Sequence, residues 1–191
     1  MPILRKESDI FPDDLFSMSL ESAPWEVVHV RSRQEKILAR VLLEFDQPFY
    51  LPQVQNTTRR SGRTFTSYMP LFSGYVFIRR TEQTRPALWK TGAVVRRIEV
   101  ADQATLDREL RQIRSLQLTG AILVPAAPAP GTLVEIKEGV FSGYTGIVVS
   151  HPNAFRLLVT ITTLNKTVLA EFPASAAKVV SGRGGRAARS R

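Results

Sequence analysis

The sequence predicts an α+β protein with two domains, an α/β sandwich of the ferredoxin-like kind followed by a small β-barrel. Three observations support this prediction. Strand-like and helix-like patterns alternate from residue 25 to residue 118, a proline-rich stretch without charge follows, and short strand-like segments separated by glycine, proline and asparagine come after it. At 191 residues the chain has room for one medium and one small domain.

The first predicted domain, residues 24–119, begins with a strand and a helix. Residues 25–31 alternate in polarity and are rich in β-branched side chains, which favours a buried strand. Residues 34–45 place four apolar side chains on one face of a helix. This order is typical of the start of an α/β sandwich.

A strand and a hairpin are predicted next. Residues 49–55 form one strand, and residues 55–72 form two strands joined by a turn at Ser61 and Gly62, since glycine tolerates the positive φ of a tight turn. The tip of this hairpin is basic and carries Arg59, Arg60 and Arg63.

The domain closes with two strands and two helices. Residues 74–80 form a strand that is apolar on both faces, and residues 85–91 form a short helix. Residues 94–100 form another strand, and residues 106–118 form a longer helix. The predicted order is therefore βαβββαβα.

Four further segments complete the organisation. Residues 1–23 are acidic and weakly patterned, with apolar residues spaced to allow docking, and we treat them as an N-terminal extension. Residues 120–130 contain three prolines and no charge, which predicts an extended linker. Residues 131–181 form about five short strands, and residues 182–191 form a basic, disordered tail.

The composition excludes several classes of protein. No apolar run approaches the roughly 20 residues that span a bilayer, and acidic residues interrupt the N-terminus before an export signal develops. The absence of cysteine excludes disulfides and thiolate chemistry and is compatible with a reducing cytoplasm. We expect a cytoplasmic monomer that does not bind membranes.

The sequence does not predict a catalytic or metal site. His29 and His151 are the two histidines, and neither has the local spacing of a zinc or phosphoryl-transfer site. Gly139, Gly143 and Gly146 lie between strands, so no helix follows them to bind a phosphate. We expect no enzymatic activity, no cofactor and no metal.

The net charge of +9 is concentrated in the first domain. Residues 24–100 carry thirteen basic and six acidic residues, whereas residues 131–181 carry four and three. A basic domain beside a nearly neutral one indicates that the first lies near nucleic acid and the second binds a protein.

Two motifs resemble those of a known family. The run PLFSGYVFIR, residues 70–79, resembles the N-terminal signature of NusG transcription factors, although Ser73 stands where that family usually has proline. The run PGTLVEIKEGVFSGYTGIVV, residues 130–149, is similar to the KOW motif. Their order, the strand that starts at Trp25 and the proline-rich linker extend the resemblance over residues 24–180.

The resemblance implies a NusG-type N-terminal domain and an SH3-like KOW barrel in a transcription elongation or antitermination factor. The N-terminal domain would bind the clamp helices of RNA polymerase through an exposed apolar hollow on its sheet. The residues assigned to this contact are Trp25, Val27, Phe72, Tyr75 and Phe77. For Trp25 and Phe77, packing in the core is an equal alternative. The residues assigned to DNA or RNA backbone, or to the polymerase cleft, are Arg31, Arg33, Arg59, Arg60 and Arg63.

The resemblance also implies a partner for the KOW barrel, either a ribosomal protein of the small subunit or a termination helicase. The residues assigned to it are Phe141, Tyr144, Leu164, Asn165 and Lys166. The loop at 164–166 departs from the Phe-Gly-Arg of housekeeping members and is closer to specialised paralogs that antagonise termination. We favour a specialised paralog with a β-barrel; the alternatives are a KOW-containing ribosomal or RNA-binding protein and an enzyme of unknown type.

Overall fold

A computed structural model of the chain describes residues 7–60, 62–119, 122–126, 133–135, 145–151 and 154–173. The helices are α1 (Glu35–Glu44), α2 (Thr84–Thr91) and α3 (Gln103–Leu118), and short 3-10 turns cover Leu15–Ser17 and Thr162–Leu164. The strands are β1 (Ile10–Phe11), β2 (Trp25–Val30), β3 (Phe49–Tyr50), β4 (Gln53–Arg60), β5 (Arg63–Pro70), β6 (Tyr75–Arg79), β7 (Val94–Glu99), β8 (Ile122–Ala126), β9 (Leu133–Glu135), β10 (Thr145–His151), β11 (Ala154–Ile161) and β12 (Lys166–Pro173). Among the described residues, no helix combines the length and the apolar character needed to cross a membrane.

Five antiparallel strands form the first sheet, in the order β1-β3-β6-β2-β7. Successive residues of β2 point to opposite faces of this sheet. Val28 belongs to a core cluster with Leu38 of α1, whereas Val27 belongs to a second cluster with Leu106 of α3. The predicted mixture of sheet and helices in the first domain is confirmed.

The prediction of one continuous strand over residues 49–55 is wrong. β3 ends at Tyr50, and β4 begins at Gln53 in a separate ribbon with β5. Pro52 has no N–H for a sheet ladder, and its carbonyl oxygen instead accepts a hydrogen bond from the Leu71 N–H at 2.7 Å. The predicted hairpin itself is confirmed, and Gly62 in its turn has a φ of +75°.

Residues 9–20, which we call the N-terminal segment, are integrated into the first domain. β1 pairs with β3, and Leu15 is fully buried. The Phe16 ring lies 5.8 Å from the Trp25 ring and 5.4 Å from the Tyr50 ring, measured between centroids. The segment therefore covers part of the sheet face that α3 also covers.

A fully buried arginine fastens the N-terminal segment to the sheet. Arg79 Nη2 donates hydrogen bonds to the carbonyl oxygens of Met18 at 2.7 Å and Ser19 at 2.8 Å. Its guanidinium lies 4.7 Å from the centroid of the Trp25 ring. The counter-ion is Asp107 of α3, whose Oδ1 lies 3.6 Å from Arg79 Nη1 and accepts a hydrogen bond from Trp25 Nε1 at 2.9 Å. Burial lowers the pKa of Arg79, and the nearby Asp107 carboxylate opposes that shift.

The second sheet contains five antiparallel strands in the order β8-β12-β11-β10-β9. Its first strand, Ile122–Ala126, lies inside the predicted linker, so these five residues belong to the sheet. β8 is an edge strand, where Pro125 is tolerated because only one side of the strand needs ladder hydrogen bonds. The domain boundaries and closure of the sheet into a barrel stay predictions, and the predicted tail at 182–191 lies outside the described residues.

Helix α3 contacts the second sheet. Val159 and Ile161 of β11 belong to the same core cluster as Leu110 of α3. Beside this apolar contact, Glu109 accepts hydrogen bonds from the Thr162 backbone N–H at 3.0 Å and from its hydroxyl at 2.5 Å. Burial raises the pKa of Glu109 above its usual 4.5, although the hydrogen bonds from Thr162 lower it.

Replacing Asp107 by alanine should destabilise the protein by about 3 to 5 kcal/mol, because the buried guanidinium of Arg79 would lose its counter-ion. Urea denaturation followed by circular dichroism measures this change. The matched control is Glu44→Ala, which removes an exposed ion pair with Lys90 and should cost at most about 1 kcal/mol. Equal effects of the two substitutions would contradict the role given to Asp107.

The buried Glu109 should make stability fall as the pH rises above about 4.5, because a raised folded-state pKa means that the folded protein binds more protons there than the unfolded chain. Glu109→Gln should remove this contribution. The free energy of unfolding of the variant, minus that of the unsubstituted protein, should therefore increase as the pH rises from about 4 to about 7. Parallel pH profiles for the two proteins would show that the carboxylate makes no such contribution.

Candidate functional site

A glycine turn fixes the start of β6. Gly74 has a φ of +83°, which residues with a side chain rarely adopt. Its N–H donates to the Glu35 carboxylate at 2.6 Å, and its carbonyl oxygen accepts from the Val30 N–H at 2.8 Å. A further hydrogen bond runs from the Tyr75 N–H to the Phe72 carbonyl oxygen at 3.1 Å. These bonds determine where the side chains of Phe72 and Tyr75 leave the backbone.

The structure buries most of the apolar residues that the sequence assigned to a docking hollow. Trp25, Val27, Phe72 and Phe77 are at most 4% exposed and lie in the core cluster on the α3 side of the sheet. Helix α3 and the N-terminal segment share that cluster, which the sequence did not reveal. These four side chains therefore lie in the core under the sheet. Tyr75 is the residue of the set whose side chain is partly exposed.

Tyr75 is accompanied by a residue that sequence reasoning missed. The half-buried rings of His29 and Tyr75 stack with centroids 5.0 Å apart and planes at 24°. The two residues are cross-strand partners, and a Cβ at position 74 would lie 3.4 Å from His29 Cδ2. Because side chains alternate between the two faces along β2, His29 lies on the same face as Trp25 and Val27. This alternation could have identified His29 as a member of the same surface.

On β7, Arg96 pairs with His29, and Ile98 pairs with Val27 in the strand register. Cross-strand partners share a face of the sheet. We call the four residues His29, Tyr75, Arg96 and Ile98 the Tyr75 face. Arg96 is exposed and the other three are half-buried, so this end of the sheet face is accessible while the Trp25 end is covered.

The predicted nucleic-acid residues lie on separate elements. Arg31 and Arg33 follow β2, whereas Arg59 and Arg63 lie near the tip of the β4–β5 ribbon. All four are exposed, and none makes an ion pair with another described residue. The side chain of Arg60 lies outside what the structure describes.

The predicted partner loop of the second sheet is described in part. Leu164 is half-buried and packs against the core cluster that includes α3, while Asn165 and Lys166 are exposed. Asn165 has a φ of +48°, a conformation that asparagine tolerates better than most residues. Phe141 and Tyr144 lie outside the described residues.

The described part of the chain offers no metal site, because no three histidine, cysteine, aspartate or glutamate residues there are grouped to hold an ion. His29, the histidine whose side chain is described, stacks on Tyr75.

Comparison with known proteins gives a family match and several similar solved structures. The sequence of residues 23–117 matches the family model NusG, described as transcription termination factor nusG. No curated protein matches the chain. A solved structure titled "Domain interaction in Thermotoga maritima NusG" has a TM-score of 0.49 and 20% identity over 83% of this chain and 97% of that chain. A second, "Crystal Structure of MjSpt4:Spt5 complex conformation B", has a TM-score of 0.28 and 16% identity over 84% and 99%.

Gly74→Ala should destabilise the protein by about 1 to 2 kcal/mol, because alanine is strained at a φ of +83°. Thermal unfolding measures the loss. Ser73→Ala, at the exposed neighbouring position, should change stability by less than about 0.5 kcal/mol. A Gly74→Ala protein as stable as the Ser73→Ala protein would show that the turn tolerates a side chain.

Proposed function

We propose that this protein, whose residues 23–117 form a domain of the NusG family of transcription factors, binds RNA polymerase and promotes elongation or antitermination. In this role it is a binding protein without enzymatic activity and works in the cytoplasm as a monomer. The single observation that carries the proposal is the accessible aromatic pair of Tyr75 and His29 on the sheet of that domain.

The Tyr75 face has the chemistry of a protein contact. Tyr75 and His29 provide flat rings with polar edges, and Ile98 adds an aliphatic side chain beside them. Aromatic residues of this kind are enriched among the side chains that dominate binding energy. We infer that the clamp helices of polymerase pack against this face.

The rigid support of the Tyr75 face favours tight binding. The turn at Gly74 is fixed by Glu35, and Phe72 packs edge-on against Phe77 with ring centroids 5.7 Å apart. Binding to a preformed surface loses less side-chain entropy than binding to a mobile one. The buried residues Trp25, Val27, Phe72 and Phe77 thus contribute to the proposed contact by holding Tyr75 in place.

The exposed arginines support contact with the nucleic acid or the cleft of a transcribing polymerase. Arg59 and Arg63 lie near the end of a two-stranded ribbon, and Arg31 and Arg33 lie after β2. Guanidinium groups without ion-pair partners bind phosphates with little dependence on base sequence. We infer that they stabilise the protein on the elongation complex after Tyr75 has docked.

The second sheet is proposed as a KOW domain that recruits another protein. In the proposed contact, the loop at 164–166, Asn165 and Lys166 are exposed and Leu164 is half-buried, and Phe141 and Tyr144 complete the assignment. A ribosomal protein of the small subunit is the favoured partner over a termination helicase, because this loop lacks the Phe-Gly-Arg of housekeeping members. The chain would then be a specialised antitermination factor.

Tyr75→Ala should weaken binding to purified core RNA polymerase by at least about 2 kcal/mol, or roughly 30-fold in Kd, because an anchoring ring is lost. The same variant should lose its effect on transcription through a terminator in vitro. Biolayer interferometry and gel analysis of terminated and read-through transcripts measure the two results.

Leu118→Ala is the control for this experiment, since Leu118 is a 72% exposed apolar residue at the end of α3 and outside the Tyr75 face. It should bind polymerase like the unsubstituted protein. Unchanged polymerase binding by Tyr75→Ala would overturn the docking proposal.

Retention of ribosomal subunits but not polymerase on the immobilised protein would favour the alternative, a KOW-containing ribosomal or RNA-binding protein.

A further inference from the structure

The N-terminal segment and the Tyr75 face lie on the same face of the first sheet. Alternate residues of a strand share a face, so Trp25, Val27 and His29 of β2 point the same way. At the Trp25 end of this face, the ring of Phe16 from the N-terminal segment lies 5.8 Å from the Trp25 ring, measured between centroids. The N-terminal segment therefore borders the surface to which His29 and Tyr75 belong.

The distance along β2 limits what can bind the Tyr75 face while the N-terminal segment is in place. Trp25 and His29 are separated by roughly 14 Å along the strand, at about 3.4 Å per residue. A single α-helix with its side chains is about 10 to 12 Å across, so two helices side by side exceed that distance. The clamp helices proposed above as the partner would thus overlap the N-terminal segment at the Trp25 end.

Several contacts that attach the N-terminal segment are short or exposed to solvent. Its strand β1, Ile10–Phe11, contains two residues. The Phe16 carbonyl oxygen accepts a hydrogen bond from Arg111, whose side chain is 49% exposed. Asp9 lies 3.3 Å from Arg114, which is partly exposed as well. Charged contacts open to water contribute little to stability.

The buried contacts of the N-terminal segment are incompletely satisfied. Leu15 is fully buried and holds the segment closed. Arg79 lies under the segment, and its Nε and Nη1 atoms are buried without donating a hydrogen bond to any described residue. Buried donors without an acceptor destabilise the state that contains them. When the carbonyl groups of Met18 and Ser19 move away, water can reach the guanidinium, and this offsets part of the cost of opening.

We propose that the N-terminal segment is a displaceable cover, which opens without unfolding of the domain and gives way when the clamp helices of polymerase dock. The open form adds the uncovered ring of Trp25 to the Tyr75 face. This inference rests on the proposed function and adds a regulatory step to it. The closed form lowers the apparent affinity for polymerase in proportion to the fraction of molecules that are open.

Hydrogen exchange tests the opening without polymerase. The Leu51 N–H donates to the Asp9 carbonyl oxygen at 2.7 Å, so its exchange reports separation of the N-terminal segment from the sheet. The amides of Leu15 and Leu51 should exchange at least about 100-fold faster than those of β6 in the middle of the sheet, because local opening costs less free energy than unfolding. Equal rates would show that the segment separates only when the domain unfolds, and would overturn the proposal.

A covalent lock tests the effect on polymerase binding. The chain contains no cysteine, so Ser17→Cys together with Arg111→Cys introduces two unique thiols. Because Arg111 reaches the Phe16 carbonyl oxygen, a short bismaleimide can link these positions. The linked protein should bind purified core RNA polymerase at least about 10-fold more weakly than the same variant with separately capped thiols. In the matched control, Glu44→Cys with Lys90→Cys, linking α1 to α2 should leave the affinity unchanged.

A loosened cover should have the opposite effect. Phe16→Ala should raise the affinity for polymerase about 5- to 50-fold, because the closed form loses its ring contacts with Trp25 and Tyr50. Arg108→Ala on α3 leaves these contacts intact and should bind like the unsubstituted protein. Weaker or unchanged binding by Phe16→Ala would overturn the proposal, as would equal binding by the linked and capped proteins. If no variant binds polymerase, the proposed function fails, and hydrogen exchange alone decides whether the segment opens.

Discussion

A buried positive charge has to keep its counter-ion, and this constraint organises the first domain. Arg79 is fully buried, and its partners come from different parts of the chain: two carbonyl oxygens of the N-terminal segment, the Trp25 ring of β2 and the Asp107 carboxylate of α3. Removing the Asp107 carboxylate would leave the buried guanidinium without its counter-ion. The position of α3 over the sheet is therefore fixed by charge as well as by apolar packing, and the covered end of the sheet face follows from it.

The accessible end of the same face depends on a second polar contact. Glu35 of α1 accepts the Gly74 N–H, so a helix on one side of the sheet sets the turn that presents Tyr75 on the other. A carboxylate hydrogen-bonded to a backbone N–H is a strong and directional contact. The docking surface proposed above is thus positioned by residues that never meet the partner.

Local patterns in the sequence predicted the strands β2, β6 and β7, the three helices and the hairpin, because alternation and helical spacing report burial within one element. They could not show which elements share a face. Trp25 and Phe77 were assigned to an exposed hollow with core packing as an equal alternative, and α3, which shares their core cluster, lies far from both in sequence. The strand at Ile122–Ala126 was missed because its ladder partner, β12, is supplied more than forty residues later. His29 was set aside as a catalytic candidate, and its stacking on Tyr75 needed the strand register.

The attachment of the N-terminal segment has a consequence for synthesis on the ribosome. Arg111 binds the Phe16 carbonyl oxygen across 95 residues of sequence, and Arg114 pairs with Asp9 across 105. These two contacts can therefore form only after α3, near the end of the domain, has been translated. Contacts of such long sequence separation form late because loop closure is entropically costly. A nascent chain paused before α3 would expose the apolar side chains of Leu15, Phe16 and Trp25 together, and chaperone binding would be concentrated at that stage.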